Sequence, residues 1–186
     1  MSASTFRPRP APRGFGLVEL VITVAIIAIL ATIALPSFAY TIRSSRVRTE
    51  ANDFVSALNL ARNEAITRSR NVTICAADTR VGVPTSCGAA TDWQHGWIVF
   101  LDQTSSGTPG AFDAADILRS WNGNEKNSMA AAGDVTYVRF NSRGEAQMDS
   151  PQVFILKPVT DCRNDQQRRI EVNPLGRFSS MAEECS

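Results

Sequence analysis

The sequence predicts an α+β fold, in which one long N-terminal helix packs on a mostly antiparallel β-sheet head. Three observations carry that expectation. Residues 15–35 form an apolar run interrupted by a single acid, Glu19. Residues 37–70 continue with apolar side chains at three- and four-residue steps. Beyond residue 70 the pattern changes to short β-branched and aromatic runs, separated by clusters of Gly, Pro, Asn and Ser.

Residues 1–14 read as a short leader rich in Pro and Arg, too polar and too often broken for regular structure. The apolar run follows Gly14 directly, in the order Phe15-Gly16-Leu17-Val18-Glu19-Leu20. It is roughly 21 residues long, and at about 1.5 Å per helical residue it spans about 30 Å, one hydrocarbon core. A carboxylate at the centre of a spanning helix costs about 2.5–3.5 kcal/mol. Glu19 therefore needs a partner, and the segment reads as an assembly element as well as an anchor.

Three readings of the run compete: a plain membrane anchor, a secretory signal, and a signal cut before the run so that the run is kept. A secretory apolar region is about 7–15 residues long, shorter than this one. Pro36 also falls where cleavage near Ser37-Phe38-Ala39 needs an extended chain. A Gly-Phe junction with an acid four residues on favours the third reading. Orientation is weakly marked by charge, because Arg7, Arg9 and Arg13 precede the run while Arg43, Arg46 and Arg48 follow it.

The segments thus divide into leader (1–14), spanning and assembly helix (15–36), amphipathic half of the helix (37–70) and β-rich head (71–186). Pro36 predicts a kink just past the membrane. Beyond it, Val47, Ala51, Phe54, Val55, Leu58, Ala61 and Ala65 make one stripe facing the head. Arg43, Arg48, Asn52, Asn59, Arg62, Asn63 and Arg70 fill the other faces.

Strands are expected at 71–76 (NVTICA), 96–101 (GWIVFL), 117–121, 135–140, 153–157, 168–172 and 177–180. Asn141-Ser142-Arg143-Gly144 is a turn leading into a further extended stretch at 145–148. Asn173-Pro174-Leu175-Gly176 is a hairpin turn. Residues 78–93, 103–115 and 122–133 read as loops.

The chain of 186 residues carries 19 basic and 18 acidic side chains. Without the three leader arginines, 16 basic residues face 18 acidic ones, a net of −2 that argues against a globally basic nucleic-acid binder. Cys75, Cys87, Cys162 and Cys185 are an even set suited to disulfides in an oxidising periplasm. Three connectivities exist, of which Cys75–Cys87 with Cys162–Cys185 is the simplest. Neither spacing is that of a zinc or redox pair, and His95 is the one histidine, so no metal site or cofactor is expected. No nucleophile and base recur around His95, and no catalytic residue is expected.

The segment GFGLVELVITVAIIAILATIALPSF resembles the N-terminus of type IV pilins and type II secretion pseudopilins. That resemblance implies cleavage between Gly14 and Phe15 by a prepilin peptidase, N-methylation of Phe15, and an assembly role for Glu19. The family usually has Thr where this chain has Gly16. Cleavage would leave an ammonium on Phe15 one turn from Glu19, able to pair in the same or a neighbouring subunit. In the head, SALNLARNEAITRSRNVTIC, GWIVFLD, ILRSW and RRIEVNPLGR, with Cys87 and Trp93, resemble the FimT/GspH family of minor pilins. The cysteine pattern is more like FimT, a minor pilin of type IV pili, than like GspH.

The implied fold is pilin-like. The implied location is the bacterial inner membrane, single-pass with a periplasmic head, followed by assembly into a pilus or pseudopilus. The implied partners are other pilins or pseudopilins, the peptidase and inner-membrane lipid. An alternative function is DNA uptake, since FimT-like proteins carry a C-terminal Gly-Arg-x-Arg motif that contacts double-stranded DNA. Here Gly176 and Arg177 match and Ser179 replaces the second arginine, with Arg163, Arg168 and Arg169 nearby. Residues 161–186 hold four arginines against five acids, so a basic patch requires folding to separate the signs. Trp93 and Trp97 would stack on bases if exposed, whereas core packing is the commoner use of such residues.

Overall fold

The computed structural model describes residues 16–80, 82–104, 109 and 112–186; for residues 33–37 it describes the backbone alone. The chain divides into two compact units, residues 1–41 and 42–186. Gly14 and Phe15 lie outside the described residues.

Helix α1 (Leu17–Arg68) is 52 residues long and belongs to both units. It is helical through position 36, where a proline removes one backbone donor without ending the element. It ends at Ser69, whose φ of 53° turns the chain into the first strand. Arg68 lies in the last turn, where the helix dipole favours a cation, and pairs with Glu64 one turn back.

The second unit places residues 42–68 of α1 against two antiparallel four-stranded sheets. One has the order β3-β2-β1-β5, formed by β3 (Ile117–Asn122), β2 (Gly96–Asp102), β1 (Asn71–Ala76) and β5 (Tyr137–Phe140). The other has the order β4-β6-β7-β8, formed by β4 (Asn127–Ala131), β6 (Gln152–Pro158), β7 (Gln167–Val172) and β8 (Phe178–Glu183). The expected helix and antiparallel strands are present, distributed over two sheets.

The predicted stripe is the core. Val47, Ala51, Phe54, Leu58, Ala61 and Ala65 are buried, and Val55 is half-buried beside them. Phe54 sits at the centre, with ring centroids 5.5 Å from Trp93, 5.2 Å from Trp97 and 4.9 Å from Phe154. Truncating such a residue costs about 3–5 kcal/mol. The alanines keep α1 close to both sheets, where added methylenes force overpacking.

Strand alternation gives the first sheet a second buried face. Val72, Ile74, Trp97 and Val99 point to α1, whereas Cys75, Ile98 and Phe100 point away. The Cys75–Cys87 disulfide (Cα–Cα 5.6 Å) holds the following loop over that outer face, and Phe112 stacks on Phe100 at 4.1 Å. Cys162–Cys185 (Cα–Cα 5.8 Å) ties the C-terminal segment to the start of β7. The sequential pairing is therefore the one formed.

Two stretches differ from expectation. Residues 122–133, read as a loop, contain β4, whose Asn-Ser-Met-Ala-Ala composition carries little strand signal; five pairings with β6 supply the order instead. Residues 145–148 form no strand. The turn closes through Asn141 N to Glu145 O (2.9 Å), and Ala146 N then donates to Pro174 O (3.0 Å) in the β7–β8 turn. Pairing with β5 is limited to the bridge of Ala146 to Phe140, flanked by Gln147 N donating to Arg139 O (2.8 Å).

Candidate functional site

At the start of α1, Leu20 N donates to Gly16 O at 3.1 Å and closes the first turn. Glu19 sits in that turn, where the helix dipole favours an acid. Around it, apolar side chains are exposed on every side: Leu17 is 79% exposed and Ile27 64%. Thr23 and Thr32 donate their hydroxyls to Leu20 O and Ile29 O, so neither brings an unsatisfied group to an apolar setting. Glu19 makes no hydrogen bond or ion pair with any described residue. A helix apolar all round is normally buried, in lipid or in a protein interior. Among the described residues no helix is long and apolar enough to cross a membrane, the described side chains of the run extending over residues 17–32.

The C-terminal candidates are placed by the β7–β8 hairpin. Gly176 N donates to Asn173 O (2.9 Å), Asn173 N to Arg177 O (2.9 Å) and Arg177 N to Asn173 Oδ1 (3.0 Å). Gly176 has φ +71°, and a Cβ there would meet Gly144 O at 2.0 Å. Arg62, counted among the outward residues, is half-buried and donates to that same carbonyl at 3.0 Å. Gly176 is thus required by the back-to-back contact of two turns. Arg177 is exposed and unpartnered among the described residues.

Arg168 and Arg169 are neighbours on β7 and so point to opposite faces. Arg168 shares the α1 side with buried Ile170, whereas Arg169 lies 3.4 Å from Glu171 on the other. The hairpin does not gather Arg168, Arg169 and Arg177 into one patch. Trp93 and Trp97 are fully buried, and Trp93 donates to Val135 O at 2.7 Å, so neither offers a stacking surface. His95 Nδ1 lies 3.4 Å from Asp92 in a half-buried corner. Among the described residues no His, Cys, Asp or Glu cluster has metal-site geometry.

Two polar clusters escaped the sequence reading. Arg139 and Asp102 are both buried, joined by Arg139 Nη2–Asp102 Oδ2 at 2.7 Å. Burial pushes the Asp102 carboxyl up, but donors from Thr104, Thr73 and Arg139 outweigh it and hold the group below the usual aspartate range. The signal was alternation: Thr73, Asp102 and Arg139 all stand at outward positions of adjacent strands. Glu50, on α1, is also buried and accepts from Asn124 N (3.2 Å) and Asn127 Nδ2 (2.5 Å). Burial raises its pKa above the glutamate norm, the two donors opposing it and the charge on Asp53 adding to it.

The family profile described as "Type II transport protein GspH" matches residues 50–176, and that of the "Prokaryotic N-terminal methylation motif" matches residues 9–35. The crystal structure of the type IV minor pilin FimU of Pseudomonas aeruginosa shares the fold at 18% identity and a TM-score of 0.53, covering 75% of this chain and 99% of that one. The minor pseudopilin EpsH from the Type 2 Secretion System of Vibrio cholerae does so at 13% identity and a TM-score of 0.50, covering 74% and 97%. No curated protein sequence matches this chain.

Proposed function

Because this chain belongs to the GspH family of type II transport proteins, we propose that it enters a type IV pilus or type II secretion pseudopilus as a minor subunit. The N-terminus matches the prokaryotic methylation motif, and the fold is shared with a minor pilin and a minor pseudopilin. The observation that carries the finer reading is Glu19, an acid without a partner among the described residues in a stretch of α1 exposed and apolar all round.

In this reading the chain inserts in the inner membrane, and a prepilin peptidase cuts between Gly14 and Phe15 and methylates Phe15. Residues 15–35 then exchange lipid for the apolar helices of neighbouring subunits. A buried acid without a counter-ion is costly, so Glu19 selects the packing register that gives it an ammonium. The head, held by its two disulfides, stays in the periplasm and contributes to assembly, secretion or DNA uptake. The DNA reading is supported by Arg177 alone, exposed on a rigid turn.

The test is the intact mass of chain recovered from cells with a prepilin peptidase. The reading expects a mature form lacking residues 1–14 and carrying one added methyl group. A chain that keeps Met1, or one cut near residue 39, would contradict it.

A further inference from the structure

Several arginines of the head are neutralised, Arg43 and Arg163 by Asp161 and Arg169 by Glu171 among them. Arg48 and Arg168 differ. Neither makes an ion pair or hydrogen bond with a described residue, yet both line one groove of about 340 Å³ together with Ala51, Asn52 and Ser180. The groove runs between α1 and the β7–β8 side of the second sheet, and no acid is among the described residues that line it. Two guanidiniums from separate elements, beside the small side chains of Ala51 and Ser180, leave room for a carboxylate and supply paired donors to it.

The adjoining sheet edge is open as well. β8 is last in the order β4-β6-β7-β8 and pairs with β7 over six residues without a register shift. Edge strands are normally blunted by Lys, Pro or a bulge. β8 has none of these; its one charge is Glu183, and Met181 is 48% exposed. The opposite edge, β4, lies against the 3-10 helix at Ala90–His95. Ser180 lies opposite Ile170, hence on the same face as Arg168. A strand added beyond β8 would send alternate side chains to that face, into the groove.

We propose that β8 and the Arg48–Arg168 groove together receive an extended, acid-bearing segment of a neighbouring filament subunit. The segment adds as a strand along β8 and sets a carboxylate between the two guanidiniums. Main-chain bonding along the edge supplies affinity, and the arginines supply sign and register. Duplex DNA is the poorer occupant, because its affinity grows with the number of phosphates met, and this groove offers two cations on a chain whose mature net charge is −2. The proposal rests on the filament membership argued above.

The test is photocrosslinking in cells that assemble the filament, with p-benzoylphenylalanine replacing Ser180 in the full chain. The same probe in place of Val24, on the apolar stretch of α1, reports filament membership independently. The expected result is an adduct from position 180 to a subunit peptide containing Asp or Glu. Its yield falls about tenfold in Arg48→Gln/Arg168→Gln, while the adduct from position 24 is unchanged. Should the double variant fail to accumulate with both disulfides formed, Arg48→Glu alone, at an exposed helical position, must produce the same loss. A yield indifferent to these changes overturns the proposal, as does an adduct at 180 that nuclease removes. Adducts at 24 with none at 180 overturn it and leave the filament reading standing. Absence of adducts at both positions removes the filament reading and the proposal with it.

Discussion

Along α1, residues 17–32 and residues 47–65 are both rich in apolar side chains, yet the first stretch exposes them on every side and the second buries one stripe. Each stretch also carries acids, Glu19 in the first and Glu50, Asp53 and Glu64 in the second. Glu50 is buried and answered by Asn124 and Asn127 of the same chain; Glu19 has no answer among the described residues. The upper stretch is completed by the chain's own sheets, so its composition describes a fold. In the proposed reading the lower stretch is completed by neighbouring subunits, so its composition describes an assembly. One helix serves both ends because apolar spacing, not helicity, decides what each stretch packs against.

The sharpest way to break that division is to place a charge in each stretch. Ile27→Asp should remove the chain from the membrane and filament fractions while leaving the thermal unfolding of the head in place, the insertion penalty being about 2.5–3.5 kcal/mol. Leu58→Asp should do the reverse and cost the head about 4 kcal/mol or more, because it buries an unpaired carboxylate under both sheets. A head destabilised by Ile27→Asp would show that the two stretches are not independent.

Next in size is Asp102→Asn. It leaves the Arg139 guanidinium buried without its counter-ion and should cost about 3 kcal/mol in denaturant unfolding at neutral pH. The folded carboxyl titrates below its unfolded value, so its contribution is present above the usual aspartate range and disappears as pH falls through the depressed value. The wild-type stability curve should steepen there, and the variant's should not.

Glu50→Gln should act in the opposite direction and more weakly. The folded carboxyl titrates above its unfolded value, so ionisation opposes folding as pH rises from the usual glutamate range through the raised one. At neutral pH the amide should leave the head as stable as the wild type or up to about 1 kcal/mol more stable. At acid pH the two melting curves should converge; a gap that widens on acidification would contradict the assignment.

Much of this was legible in the sequence. The stripe from Val47 to Ala65 and the strand at 71–76 have strong, local signals: a fixed period in one case, a β-branched run in the other. Elements that depend on a distant partner were not legible. β4 has a composition with no strand preference and exists because β6 accepts it. The stretch after Gly144 makes one bridge to Phe140 and uses the amide of Ala146 to hold Pro174, far along the chain. The same holds for sites. Gly176 matched a recognition motif, and the structure gives it a turn to make and a carbonyl to pass. Arg168 and Arg169 are adjacent in sequence and opposed in space, whereas Arg48 and Arg168, far apart in sequence, line one groove. Alternation on a strand separates neighbours, and register joins strangers.

The smallest expected effect is at Arg177. Its side chain is exposed without a described partner, so Arg177→Ala should change head stability by less than about 0.5 kcal/mol. The same variant weighs the DNA reading: one lost phosphate contact lowers the salt dependence of duplex binding by about one counterion, whereas a head acting only through subunit contacts shows no change.

The claim that residues 17–32 are completed by other subunits is met most directly at Glu19. Wild-type and Glu19→Ala chains are expressed with the filament machinery, and the ratio of chain in sheared filaments to chain left in the membrane is measured. The account predicts equal processing to the mature form and equal membrane levels, with filament incorporation of the variant reduced about tenfold or more. Incorporation equal to the wild type would contradict it, and would make Glu19 an acid that lipid and neighbours tolerate without a partner.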